Sequence, residues 1–323
     1  MSNARRQGLD EHPTELAESN VGRVEYRFDR RGPATVVVFY GGHMRAGLSL
    51  GEEVYAEAGC SVLVPSRPGY GRTPVSAGAS AGGFADVTAA LCAHLGITEV
   101  AAVAGVSGGG PTAVAMAALH PVLVQRLILQ SAVGPLPWPD RRTRLGARIV
   151  FAPHTEHVSW ALLHSLVRYA PDAGLRMLLR DLTLLPVRDV VAGLLPEDRE
   201  RLLALFSRMR SGRGFTRDLK ELATAGDSVG HAVRVSQPAL VIATRQDAAV
   251  RFAHSRALAA ALPHAELLES RAEGGRDRYA HFNSLRHGAR DPGAHPSDPS
   301  ADSRQSSPRS GCRPTPRRCT RKP

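Results

Sequence analysis

Ser107 stands in the run Gly105-Val106-Ser107-Gly108-Gly109, a Gly-x-Ser-x-Gly pattern. A serine hydroxyl becomes a nucleophile when a sharp strand-to-helix turn lifts it above a sheet and a base takes its proton. Small residues two positions to either side let strand and helix approach at such a turn, and Gly105 and Gly109 meet that need. Acyl transfer also requires N–H donors for the developing oxyanion and a group that orients the base. Gly42, in Tyr40-Gly41-Gly42-His43, offers one donor, because glycine lets backbone approach a substrate carbonyl closely; Gly108, next after Ser107, offers the second. Asp247 follows Ile242-Ala243-Thr244-Arg245-Gln246 and occupies the place of the orienting carboxylate, ahead of Asp218 and Asp227 in or beside a helical stretch. For the base, only His281, His287 and His295 lie beyond the last apolar strand. His281, in Tyr279-Ala280-His281-Phe282, is the choice. His43 reads as a pocket-lining residue, and Tyr70 as a second substrate contact. The bland alternatives are a strand-ending turn for Gly41-Gly42, a helix-capping aspartate for Asp247 and a surface histidine for His281.

These residues need a scaffold, and apolar patterning predicts one. Arg23 to Phe28 alternates like a half-exposed strand, and Ala34 to Tyr40 is a β-branched run typical of a strand buried on both faces. Ser61 to Pro65, Val100 to Ala104, Arg126 to Gln130, Pro238 to Ala243 and Ala265 to Glu269 read as further short strands. Between them, helical spacing marks Phe84 to Leu95 (with Gly96 suited to end it), Pro111 to His120 and Arg251 to Leu262. Strands alternating with helices imply a mostly parallel sheet covered on both faces. From about Gly134 to Gly230 the alternation stops. Val158 to Tyr169 reads as one helix there; Leu175, Leu178, Leu179 and Leu182 share a helical face, as do Leu202, Leu205, Phe206 and Met209. The predicted organisation is therefore a disordered tail over 1–20, a core over 21–133, a helical lid over 134–230, the rest of the core over 231–285, and a disordered basic tail over 286–323.

Bulk composition excludes several function classes. The chain has 323 residues, 43% of them apolar and 22% charged, which is ordinary for a globular protein. Its net charge of +11 is concentrated at one end: Arg286 to Pro323 holds nine Lys and Arg against three Asp and Glu, with seven prolines and no aromatic residue. Such a segment reads as a solvated tail and not as a folded nucleic-acid surface with stacking aromatics. The cysteines (Cys60, Cys92, Cys312 and Cys319) show neither a disulfide framework nor metal-ligand spacing, and Cys60 and Cys92 read as small buried hydrophobes. The start of the chain lacks the apolar core of a secretory signal, and no apolar run reaches the roughly 18 residues of a membrane span. The expectation is a cytoplasmic protein with no cofactor, no metal, no nucleic acid and no membrane partner, acting on a small molecule. The sequence leaves oligomeric state open.

The order of these parts resembles the α/β-hydrolase family over roughly Val21 to Phe282. The resemblance rests on Tyr40-Gly41-Gly42-His43 in place of the oxyanion loop and on Arg67-Pro68-Gly69-Tyr70-Gly71-Arg72-Thr73 as the loop after the next core strand. It rests further on Gly105 to Gly109 as the nucleophile elbow and Asp247 as the triad acid. The chain order Ser, Asp, His agrees with it. The resemblance implies an α/β sheet with a helical lid insert. It implies a carboxylesterase-like serine hydrolase working through an acyl-enzyme, with Ser107, His281 and Asp247 as triad and Gly42 and Gly108 as oxyanion donors. The apolar insert suggests a small or medium apolar substrate. The chain departs from the family at Ala272-Glu273-Gly274-Gly275-Arg276, where a histidine is usual. A non-catalytic ligand-binding member without a working base is the alternative, and an interaction protein acting through the basic tail is a third.

Overall fold

Short β-branched and alanine-rich runs, each bounded by turn residues, fold as the strands of one sheet. A computed structural model describes residues 11–270, apart from residues 20, 21, 79, 153, 225 and 226. In chain order the strands are β1 (Glu15–Ser19), β2 (Gly22–Asp29), β3 (Thr35–Phe39), β4 (Ser61–Pro65), β5 (Ala102–Val106), β6 (Leu127–Gln130), β7 (Ala239–Ala243) and β8 (Ala265–Glu269). They lie side by side in the order β1-β2-β4-β3-β5-β6-β7-β8. β1 pairs antiparallel with β2 and β2 with β4, while every pairing from β4 to β8 is parallel. β3, β4 and β5 are buried at every position, as central parallel strands must be when both faces are covered.

One face packs on α2 (Ala81–His94) and α3 (Gly110–Leu119), joining Phe39, Leu63, Phe84, Leu91, Met116, Leu127 and Leu129 in a single core. The Ser80 side chain caps α2 by accepting from the Gly83 N–H, and Gly96 just beyond it has φ +72°, the left-handed conformation glycine adopts without strain. The other face buries Val36, Val38, Tyr40, Val62 and Val64, against which α1 (Glu53–Glu57) places Tyr55. α11 (Phe252–Ala261) follows β7 and buries Leu258.

Between β6 and β7 the chain runs through α4 (Arg141–Val150), α5 (Glu156–Tyr169), α6 (Pro171–Leu179), α7 (Val187–Ala192), α8 (Pro196–Phe206), α9 (Gly214–Glu221) and α10 (Ser228–Ala232). This helical insert has its own apolar cluster of Val167, Leu175, Leu179, Val190, Val191, Leu202 and Phe206. The leucine stripes at 175–179 and 202–205 face inward, as their spacing predicts.

Two expectations are corrected. Within the segment 1–20 read as disordered, β1 extends the sheet by one strand: Ala17 is buried, Glu15 accepts from the Tyr26 hydroxyl, and Glu11 pairs with Arg45. The polar sequence of this stretch hid the strand, because an edge strand offers only one residue to the core. Cys60 is half-buried, unlike the fully buried Cys92, whose thiol burial pushes up to about 12. Among the described residues no group of three or more His, Cys, Asp or Glu is placed to hold a metal, and no helix is long and apolar enough to cross a membrane.

Candidate active site

β5 ends at Val106, and the chain turns at once through Ser107 to Gly109 into α3. Ser107 takes φ +51°, the left-handed region that a non-glycine residue occupies only at a cost of order 1–3 kcal/mol. Neighbouring groups fix that conformation. The Ser107 carbonyl accepts from the Val133 N–H at 2.9 Å, just past β6. The flanking glycines show why nothing larger fits: a Cβ on Gly105 would stand 2.7 Å from the Ala113 Cβ, and one on Gly109 only 2.1 Å from the Phe39 carbonyl oxygen. The residue keeps 9% exposure at the carboxyl edge of the sheet.

The loop after β3 closes over this turn. A Cβ on Gly41 would lie 2.7 Å from the Ser107 Cβ, 3.1 Å from its Oγ and 3.2 Å from the Gly108 nitrogen. The Tyr40–His43 loop and the Gly108 amide thus meet beside the Ser107 hydroxyl. The next residue, His43, also has positive φ, at +66°. Its ring is boxed by Phe215, Phe151 and Trp160, with centroids 4.1, 4.8 and 5.3 Å away. Ser211 Oγ accepts from Trp160 Nε1–H at 2.8 Å and lies 2.7 Å from His43 Nδ1, which ties the ring to the insert. Burial pushes the ring down to about 4 against the opposing pull of the Asp218 charge, so His43 is neutral at pH 7. Its side chain therefore packs the Tyr40–His43 loop against the insert.

Asp247 lies on the loop after β7 and is 1% exposed. Its Oδ1 accepts from the Val250 N–H at 2.8 Å, which fixes the carboxylate, and the insert braces the loop through Leu184 N–H to the Gln246 carbonyl at 2.8 Å. Ser107 and Asp247 leave the same edge of the sheet with β6 between their strands. That separation is two strand spacings, about 10 Å at the backbone, room for an imidazole between the side chains. Val133, bonded to the Ser107 carbonyl, shares an apolar cluster with Val250 and so links the two loops. His281, with His287 and His295, lies outside the described residues. Another histidine near the site is His254 on α11, whose Nδ1 accepts from the Gly134 N–H at 3.1 Å and whose burial lowers its proton affinity; it supports the loop after β6 as a neutral ring.

Tyr70 is 1% exposed and gives its hydroxyl to Asp218 at 2.6 Å, so it packs beside the Tyr40–His43 loop and not on an open surface. Burial, with Asp218 beside it, holds the phenol well above its ordinary range. Arg67 binds the same carboxylate through both terminal nitrogens, at 2.9 and 2.6 Å. In the sequence Asp218 ranks below Asp247 as a triad acid, and Arg67 has no assigned role. An arginine in a glycine-rich loop after a buried strand was the only local signal for this cluster.

Residues 35–276 match the family model described as alpha/beta hydrolase fold. Over 236 residues the chain is 33% identical to the uncharacterized hydrolase YcgS of Bacillus subtilis (strain 168), which spans 72% of this chain and 81% of that protein. Among solved structures, an alpha/beta hydrolase fold protein from Nakamurella multipartita superposes with a TM-score of 0.70 at 24% identity, covering 86% of this chain and 98% of that one. A thermophilic esterase from Thermogutta terrifontis superposes at 0.52 with 18% identity, covering 86% and 97%. The strand order, the strained serine at the end of β5 and the matched span agree, and the chain belongs to the α/β-hydrolase fold family.

Proposed function

We propose that the protein is a serine hydrolase that cleaves ester-like bonds of small or medium apolar substrates, carboxylesterase-like in its chemistry. The observation that carries this reading is Ser107 itself, held at positive φ between β5 and α3 with the Gly41-Gly42 loop packed on it. Strain of that kind persists where the surroundings over-determine it, and the packing of the Gly41-Gly42 loop on Ser107 supports the reading. Ser107 Oγ attacks the substrate carbonyl as His281 takes its proton, and the negative charge forming on the carbonyl oxygen is met by the Gly42 and Gly108 N–H groups. His281 then protonates the leaving alcohol. Water, deprotonated by the same imidazole, attacks the acyl-enzyme, and Ser107 regains its proton as the acid departs. Asp247 orients the imidazole and stabilises its charged form.

The helical insert serves as a lid whose aromatic residues Phe151, Trp160 and Phe215 contact the oxyanion loop through His43. An ester panel of increasing acyl length, hydrolysed by wild type, Ser107→Ala and His281→Ala, tests the assignment. Loss of turnover in both variants is expected. Full activity in Ser107→Ala would remove the reading, and full activity in His281→Ala would move the base elsewhere. A folded wild type inert toward every ester would favour a ligand-binding member of the family.

A further inference from the structure

Arg67 and Tyr70, on the loop after β4, meet Asp218 of α9 beneath the Tyr40–His43 loop, and all three are buried. A buried ion pair is an uncertain source of stability, since desolvating two charges offsets much of their attraction. Its placement points to another role. The third guanidinium nitrogen, Arg67 Nε, donates to the Tyr40 carbonyl at 2.6 Å, pinning the backbone two residues before Gly42. On its other side, Arg67 Nη2 lies 3.5 Å and Asp218 Oδ2 3.8 Å from the position of a Cβ on Gly108. The Tyr70 hydroxyl, bonded to Asp218 Oδ2, is 3.8 Å from the position of a Cβ on Gly42, and the His43 N–H faces it. One polar cluster therefore touches both the Tyr40–His43 loop and the Gly108 segment, which meet beside Ser107.

We infer that Arg67, Tyr70 and Asp218 are positioning residues that set the spacing of the Gly42 and Gly108 donors, and that α9, by carrying Asp218, makes the oxyanion hole depend on the insert. The inference rests on the reading of Ser107 as nucleophile. Oxyanion donors work only when they reach about 2.7–3.1 Å from the charged oxygen, so a small drift of either loop weakens the transition state without loosening ground-state binding. Arginine suits the task because its rigid fork binds a carboxylate through two nitrogens and leaves the third for a carbonyl, which lysine cannot do. The pair carries no net charge, and the role inferred for it is the geometric one.

The test compares wild type with Tyr70→Phe, Asp218→Asn and Arg67→Lys. It measures kcat and KM on one soluble ester and inhibition by a trifluoromethyl ketone, which forms a tetrahedral oxyanion on the serine. Expected is a fall in kcat of about 10- to 100-fold with KM within about threefold, and weaker ketone inhibition by the same factor as kcat/KM. Tyr70→Phe keeps the ion pair intact and carries the test alone if the other two variants fail to fold. Unchanged kcat in folded variants would overturn the inference, as would a change confined to KM. A rise in kcat for Asp218→Asn would also overturn it, since that result would assign the cluster an electrostatic role. A wild type inert toward every ester would fell the nucleophile reading and this inference together, whereas an active wild type with indifferent variants would fell the inference alone.

Discussion

Gly41 and Ser107 are in such close contact that a methyl group on the glycine would sit 2.7 Å from the serine Cβ. The two residues follow different strands, β3 and β5, which are neighbours in the sheet and parallel. Their contact brings the loop after one strand onto the turn after the other. Gly41→Ala is expected to push the loop away from the Gly108 amide and cost about 10²-fold in kcat/KM, comparable to losing an oxyanion donor. Steady-state ester hydrolysis by the folded variant checks this, and near-wild-type turnover would contradict it.

Gly109→Ala tests the architecture instead of the chemistry. Its Cβ would lie 2.1 Å from the Phe39 carbonyl oxygen, a backbone atom that cannot rotate aside. A loss of about 3 kcal/mol or more is expected from overpacking at a central strand. Thermal unfolding should show a large fall in Tm or no cooperative transition, and an unaltered Tm would mean that the turn before α3 does not contact the end of β3.

Asp247→Asn separates charge from structure. The asparagine Oδ1 can still accept from the Val250 N–H, so Tm should stay within a few degrees of wild type, whereas Asp247→Ala should lose about 1–2 kcal/mol. Activity should fall by about 10⁴-fold in the asparagine variant, because a neutral amide can neither hold the right imidazole tautomer nor stabilise its charge. Activity close to wild type would transfer the orienting role to another carboxylate.

His43 gives a pH dependence with a definite sign. Buried among three aromatic rings, it stays neutral in the folded protein down to about pH 4, while in the unfolded chain it binds a proton near 6.5. Between those values the unfolded state holds the extra proton, so this group makes stability rise with pH and erodes it as pH falls from about 6.5 toward 4. His43→Asn keeps a residue type that tolerates positive φ and removes the titration. The fall in Tm between pH 7.5 and 5 should be smaller in the variant than in wild type; parallel profiles would show that the ring is protonated in the fold.

The sheet was legible because its strands carry their own signal. Ser61–Pro65 and Ala265–Glu269 match the apolar runs residue for residue, and Thr35–Phe39 lies inside the predicted run. The strand before the serine was placed two residues early: Gly105 and Val106 belong to it, which brings the strained turn hard against Ser107. β1 was hidden by its polar composition. Among the insert helices, α7 and α10 are six and five residues long, too short for a helical period to show.

The turn at Ser107 could be read from local pattern because a strand-to-helix turn imposes residue sizes on its neighbours, as Gly105 and Gly109 show. The Arg67–Asp218 pair could not. Its partners are far apart in the chain, and only the folded insert brings α9 to the loop after β4.

The most direct test of the central claim is the mass of the intact protein after exposure to a fluorophosphonate, followed by peptide mapping. A single phosphonyl adduct on Ser107, absent from Ser107→Ala, is the predicted result. A folded wild type that gains no mass, or that carries its adduct on another residue, would contradict it.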